Sequence, residues 1–190
     1  MKRLRIIACI VASFTPIYCT LAADSVAVEG KVIETTKKAG IGAFTVKAYS
    51  TESPGTPGAS VSRNSKPLAQ TLTLADGTYS LTISAGFKAV ILQFEKLSYF
   101  SVPSQQVVTL TPPKTTVPDV AAVKYGYGQI VSTHDVLDAF KIREASFNAM
   151  AANLLPSERK KFIESDIDSL KNAGVDSQTI SAVKAQFLPP

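Results

Sequence analysis

The chain has 190 residues, 45% of them hydrophobic and 18% charged, with a formal net charge of +5. Lys2, Arg3 and Arg5 supply three of those charges, so the chain beyond them carries a formal +2, which weakens a nucleic-acid reading of the basic pI. Both cysteines, Cys9 and Cys19, lie in the first 19 residues, so the rest has no disulfide, thiol nucleophile or thiolate metal site.

Residues 1–23 read as a cleavable signal peptide. The three cations precede an apolar run from Ile6 to Tyr18, too short to span a bilayer, and Thr20-Leu21-Ala22-Ala23 supplies small residues for cleavage after Ala22 or Ala23. Ile17-Tyr18 before Cys19 does not fit a lipid-attachment signal. The expected mature chain is exported, periplasmic or secreted, without a transmembrane segment. Its length suits one ordinary domain and a smaller unit.

From residue 24 to 123 the pattern is all-β. Val26, Val28 and Val32 alternate along a first strand with Gly30 on the same face. Lys37–Gly42 reads as a glycine-bearing turn. Phe44, Val46 and Ala48 then face one way, and Thr45, Lys47 and Tyr49 the other. Thr51–Pro67 is rich in Ser, Pro, Gly and Asn and reads as a long loop, a mobile insertion or a binding loop. Leu72–Ile83 holds the strongest hairpin signal, because Asp76-Gly77 suits a tight turn needing positive φ. Leu72 and Leu74 are expected on one face before that turn, Tyr79, Leu81 and Ile83 on one face after it, and Thr71 and Thr73 on the opposite face.

Ala89–Phe94 is nearly unbroken apolar sequence, the mark of a central strand covered on both sides. Tyr99-Phe100 and Val107–Leu110 follow, with Pro112, Pro113 and Pro118 as punctuation. About seven short strands predict a β-sandwich. Tyr125-Gly126-Tyr127-Gly128 marks the boundary to 124–190, where the apolar spacing becomes helical. Thr133 is a candidate cap for a helix carrying Val136, Leu137, Phe140, Phe147 and Met150 and ending near Leu155. Pro156–Ala173 places Ile163, Ile167 and Leu170 on one face, with Gly174 as its stop. Asp176 is a candidate cap for a third helix with Ile180, Val183 and Phe187. Three such short helices are marginal alone, so they bundle, pack on the sandwich or dock on a partner.

Gly30-Lys31-Val32, Gly40-Ile41-Gly42-Ala43-Phe44-Thr45-Val46 and Ala75-Asp76-Gly77-Thr78-Tyr79-Ser80-Leu81 together resemble the carboxypeptidase regulatory-like domain. The resemblance covers about residues 24–123 and implies a transthyretin-like, Greek-key sandwich of immunoglobulin type. That family recurs as a non-catalytic module beside exported peptidases, in outer-membrane receptors and in surface proteins. The Thr51–Pro67 loop departs from its pattern, and the helical part carries no recognised motif.

Candidate chemistries are few. His134 is the only histidine. It sits beside Asp135 at a helix start, where adjacent residues face different directions, so a Ser-His-Asp arrangement is disfavoured and a solvated histidine expected. One histidine without cysteine leaves no zinc shell, and the same shortage argues against the zinc peptidases, purine-ring-opening hydrolases and intradiol dioxygenases linked to such sandwiches. Glu29, Glu34, Glu95 and Asp119 are nominal carboxylate pairs. Lys31, Glu95 and Asp119 are a nominal isopeptide set, with no asparagine in the last strand. Asp76 reads as a turn former and not a calcium ligand. Tyr49, Tyr99, Tyr125 and Tyr127 are the candidate stacking surfaces for a sugar, Tyr125 and Tyr127 also reading as hinge residues.

The sequence thus predicts an all-β sandwich followed by a small all-α unit, with no catalytic, cofactor or metal residues assigned. The expected role is an exported non-enzymatic accessory or protein-interaction module whose partner is another envelope or extracellular protein. The alternative is a carbohydrate-binding module for cell-wall or extracellular polysaccharide.

Overall fold

The computed structural model describes residues 25–51, 65–125, 131–150 and 155–188. The expected signal peptide, most of the Thr51–Pro67 loop and the hinge residues Gly126, Tyr127 and Gly128 lie outside the described residues.

Strand β1 (Ser25–Glu34) sets the frame, because its alternation leaves one side fully apolar: Val26, Val28 and Val32 are inaccessible. Along its first part it pairs antiparallel with β5 (Thr78–Ser84) and parallel with β9 (Lys114–Thr116). Along its last part it pairs antiparallel with β2 (Ala39–Gly40) and parallel with β10 (Val120–Lys124), which in turn pairs with β7 (Tyr99–Val102). The register runs from Glu29↔Thr116 to Val32↔Val120, so β1 advances three residues while its neighbour advances four. Val117–Asp119 is therefore a bulge, and Pro118 is accommodated there because no ladder bond is asked of it.

The second sheet is antiparallel throughout, in the order β4 (Ala69–Leu72), β3 (Thr45–Ser50), β6 (Ala89–Glu95), β8 (Gln105–Thr109). The two sheets enclose a core in which Phe44, Val46, Leu92 and Phe94 face Val28, Val32, Leu81 and Val120. Among the described residues ten strands stand where about seven were expected; two of the additions, β2 and β9, have only two and three residues.

The Asp-Gly turn forms, but it is a corner and not a sheet hairpin. Leu74 N–H donates to the Thr78 carbonyl at 2.8 Å and Gly77 N–H to that of Leu74 at 2.9 Å, with Gly77 at φ +83°. The strands then part: β4 joins β3, and β5 joins β1 in the other sheet. The expected faces before the turn are inverted. Leu72 and Leu74 are 58% and 66% exposed, whereas Thr73 is buried. Its hydroxyl donates to the Ile41 carbonyl at 2.7 Å and accepts from Phe44 N–H at 2.9 Å, which offsets the cost of hiding it. The three quoted motifs meet here. Val32 N–H donates to Gly77 C=O, and a Cβ at Gly40 would lie 1.6 Å from the Asp76 carbonyl, so only glycine lets the two turns nest.

The C-terminal helices are α1 (Thr133–Met150), α2 (Pro156–Asn172) and α3 (Ser177–Phe187). Ser132, and not Thr133, caps α1: its hydroxyl accepts from Asp135 N–H at 3.4 Å, while the Thr133 hydroxyl meets that of Thr179 at 2.7 Å. Ahead of α2, Leu155 N–H donates to Glu158 Oε2 at 3.0 Å, the reciprocal half of a capping box, with Pro156 opening the helix. Asp176 caps α3 as expected through Thr179 N–H at 2.9 Å, and Gly174 takes φ +81° after α2.

The helices bundle and also pack on the sandwich. Val136, Phe140, Phe147, Ile163, Ile167, Leu170, Ile180, Val183 and Phe187 form a second core with Val102, Ala121 and Val123 of the sheet. Strand β10 divides the two cores: Val120 and Ala122 enter the first, Ala121 and Val123 the second, and all four are fully buried. A strand covered on both sides has no use for alternation, which is why Val-Ala-Ala-Val is continuous. The architecture is a two-sheet sandwich with a helical third layer.

Candidate functional site

Strands β6 and β7 are joined by a tight turn in which Tyr99 N–H donates to Lys96 C=O at 3.1 Å and Ser98 adopts φ +65°. The turn pushes Leu97 outward to 91% exposure. Lys96 folds the other way: its Nζ donates to the Gly42 carbonyl at 2.5 Å and lies 5.3 Å from the Tyr99 ring centroid and 6.0 Å from that of Phe44. Such a cation over two aromatic faces ties the turn to the sandwich. Beyond it, Phe100 stacks on Tyr125 with ring centroids 6.1 Å apart and planes at 23°.

The C-terminal turn of α2 forms the facing wall, through Ser169, Leu170, Asn172 and Ala173. Ser104 Oγ donates to Ser169 Oγ at 3.1 Å, tying the loop before β8 to α2. Between these walls lies an open cleft of about 660 Å³, with Leu97, Tyr99, Phe100 and Tyr125 as its apolar and aromatic lining. Burial, then the nearby Glu34 charge, push the Tyr99 hydroxyl upward, so it stays a neutral donor. Glu95 at the rim is held by Lys47 at 2.5 Å, and the hydrogen bond that Lys47 donates to Glu95 raises the lysine. The arrangement offers flat apolar surface with a few hydroxyls and one amide, a lining for binding a side chain or ring.

The tyrosines proposed from sequence therefore separate. Tyr99 and Tyr125 share this cleft, Tyr49 is buried in β3, and Tyr127 lies outside the described residues. The signal missed in sequence is Leu97, an isolated leucine between Lys96 and Ser98, and the α2 end that faces it, which only tertiary packing brings near.

The nominal catalytic groups are dispersed. His134 is an exposed residue in the first turn of α1, with Nε2 3.5 Å from Asp138 and not from its neighbour Asp135. Glu29 pairs with Lys114 at 2.5 Å and Glu34 with Lys37 at 3.4 Å, and their separation along β1 puts them on opposite faces. Glu95 faces away from the core in the other sheet, so it joins neither of them nor the Lys31–Asp119 region. Lys31 and Asp119 do flank the Val32↔Val120 pair on adjacent strands, but Glu95 is across the sandwich from both. Asp76 accepts from Thr78 Oγ1 at 2.6 Å and Thr78 N–H at 3.0 Å, bonds that lower its carboxyl and occupy it in the turn. Among the described residues no group of three or more His, Cys, Asp or Glu side chains is placed to hold a metal.

One buried pair escaped the sequence reading. Arg143 Nε donates to Asp166 Oδ2 at 2.9 Å between α1 and α2, and both side chains are buried. The guanidinium sits 4.3 Å from the Phe147 centroid and 5.8 Å from that of Phe162. Burial pushes the Asp166 carboxyl up, and Arg143 opposes that. The signal was present: Phe140, Arg143 and Phe147 share one helical stripe, and Asp166 adjoins Ile163, Ile167 and Leu170.

No family model matches the chain, and no curated protein matches it. Solved structures with similar folds include a streptococcal ancillary pilin, at 12% identity over 53% of this chain and 33% of that one, with a TM-score of 0.38. A minor pilin of Streptococcus agalactiae is 12% identical over 57% and 48% of the two chains, with a TM-score of 0.39. The 5-hydroxyisourate hydrolase of Klebsiella pneumoniae is 15% identical over 53% of this chain and 99% of its own, with a TM-score of 0.31. The chain thus spans a third to a half of the length of the two pilins. Among the described residues no helix is long and apolar enough to cross a membrane.

Proposed function

We propose that this chain is an exported, non-catalytic interaction module, of the kind its resemblance to carboxypeptidase regulatory-like domains implies, and that it binds another envelope or extracellular protein through the cleft at the sandwich–helix seam. The observation that carries the reading is Leu97, held 91% exposed at a turn braced by Lys96, beside the stacked Phe100–Tyr125 pair. A rigid turn that presents a large apolar side chain to water is stabilised when a partner covers it, at about 25 cal/mol for each Å² removed from solvent. The helical unit contributes as a wall and not as a free docking helix, since its apolar faces are consumed by the second core. Beside the candidate site Lys47 pairs with Glu95 and Lys96 donates to the Gly42 carbonyl, which supports recognition by shape and apolar contact.

The test is affinity capture from the envelope and culture fluid of the native host, with wild-type chain and the Leu97→Asp and Tyr125→Ala variants, alongside a glycan-binding screen. A protein retained by the wild type and lost from both folded variants supports the reading. Binding of a polysaccharide that depends on Tyr99 and Tyr125, with no captured protein, overturns it in favour of a carbohydrate-binding module.

A further inference from the structure

Strand β4 is one of the two outer strands of the four-stranded sheet, and among the described residues no strand lies beyond it. Among the described residues, three of the six exposed large hydrophobic side chains are on or next to it: Leu68, Leu72 and Leu74, 40%, 58% and 66% accessible. Edge strands are commonly blunted by charge, proline or a covering segment, because their unpaired amides recruit other strands. Here Leu68–Leu74 carries no charge and no proline. Thr73 N–H bonds Phe44 C=O at 2.9 Å, and Thr73 C=O accepts from Ala43 N–H at 3.0 Å, so Thr73 turns its main chain inward. Alternation then turns Thr71 inward also, and leaves the N–H and C=O groups of Gln70 and Leu72 pointing away from the sheet.

We infer that a second copy of this chain pairs antiparallel along β4, about a two-fold axis at Thr71, to make one continuous eight-stranded sheet. The register is set by the free groups. Pairing Gln70 with Leu72 of the second copy, twice by symmetry, uses both outward N–H and both outward C=O groups on each side. The same register brings Leu68 opposite Leu74 of the other copy, apolar against apolar on the outer face. It also brings Lys66 of each chain to the end where Asp76 of the other lies. Both are exposed, so a neutral centre is closed at each end by opposite charges. An isologous pairing of this kind closes on itself, so it ends at a dimer and leaves no β4 edge to propagate. The surface is separate from the cleft, and the inference goes beyond the proposed function.

Sedimentation equilibrium over a wide concentration range tests it. The wild type moves from monomer toward twice the monomer mass as concentration rises. Gln70→Pro removes the outward donor without touching a bond to β3, since proline is tolerated where an edge N–H faces solvent. It weakens association by about tenfold or more, because two hydrogen bonds are lost per dimer. Leu72→Lys is a second variant, placing a cation on the edge, in case the first disturbs folding. Carbodiimide coupling of mixed light and heavy chains gives an intermolecular Lys66–Asp76 peptide. Leu97→Asp leaves the mass unchanged, which separates this result from the cleft's. A chain that stays monomeric at every concentration overturns the inference. So does a dimer unaffected by Gln70→Pro and Leu72→Lys in variants that melt like the wild type, or an edge that takes an extended peptide of another protein instead.

Discussion

Tyr79 is the most informative single position in the sandwich. Its ring lies in the core, edge-on to Phe94 with centroids 5.9 Å apart, and its buried hydroxyl has no hydrogen-bond partner among the described residues. Burial pushes that hydroxyl well above the usual tyrosine range, with the Asp119 charge adding to it, so it stays neutral at all working pH. A buried hydroxyl that loses water and gains nothing costs about 1–3 kcal/mol, while the ring's packing is unaffected by its removal. Tyr79→Phe is therefore expected to stabilise the protein by about 1 kcal/mol, a rise of roughly 2–4 °C in Tm for a chain of this size. Gly30 is the other half of the arrangement. It faces the core from β1, and a Cβ there would lie 2.5 Å from the Tyr79 oxygen and 2.8 Å from Cζ. Gly30→Ala must displace a ring wedged in the core, at about 1–3 kcal/mol. In Tyr79→Leu the obstructing atoms are gone, so the same Gly30→Ala change is expected to cost much less, a coupling of about 1 kcal/mol or more. Urea denaturation of the five chains (wild type, Tyr79→Phe, Gly30→Ala, Tyr79→Leu and the Gly30→Ala/Tyr79→Leu double variant), followed by far-UV circular dichroism, measures both numbers. A Tyr79→Phe variant less stable than wild type by 1 kcal/mol would refute the orphaned hydroxyl. Additive effects of the two changes would refute the wedge.

The buried Arg143–Asp166 pair is expected to behave asymmetrically. Arg143→Met alone strands a carboxylate and costs about 3–5 kcal/mol, whereas Arg143→Met with Asp166→Leu is neutral or stabilising in thermal melts, because two desolvation penalties vanish together. Equal losses in the single and double variants would contradict this. Asp176 and Asp166 are expected to give opposite pH responses. The bonds from Thr179 lower the Asp176 carboxyl, so its contribution is complete above the unfolded value and is lost as the pH falls through the folded one. The buried Asp166 carboxyl is raised, so its contribution is present at low pH and declines as the pH rises through that raised value. Asp176→Asn should flatten the acid limb of the stability profile, and Asp166→Asn the limb above it. Identical profiles for the two variants would rule out the assignment.

What could be read from the sequence follows from what period-2 and period-3.6 patterns contain. The stripes of α2 and α3 and the alternation of β1 and β3 name residues that share a face, and the buried residues Val26, Val28, Val46, Ile163, Ile167 and Val183 are those faces. Alternation does not say which face is inside. At β4 the strand changes sheets at a corner, and the polar member, Thr73, is the one turned inward with its hydroxyl satisfied. The docking of the helices had one overlooked signature, Val120-Ala121-Ala122-Val123, whose lack of alternation requires a cover on each side. The cleft was half legible. Tyr99 and Tyr125 stood out as aromatic residues, but Leu97 gains its meaning from a turn geometry and from the end of α2, neither of which is a local property. Asp76 and the glycines of the Gly40–Gly42 loop are far apart in sequence and nothing local shows that they are two sides of one contact.

The central claim is that the seam between sandwich and helices is where a partner protein sits. Its most direct measurement is site-specific photocrosslinking in the native host, with a benzophenone side chain replacing Leu97 and, as a control, the exposed Ser157 in the first turn of α2, at the opposite end of that helix from the cleft. A discrete crosslinked protein at position 97 that is absent from the control is the expected result. Crosslinking equal at both positions, or none at position 97 in a chain that is exported and folded, would contradict it.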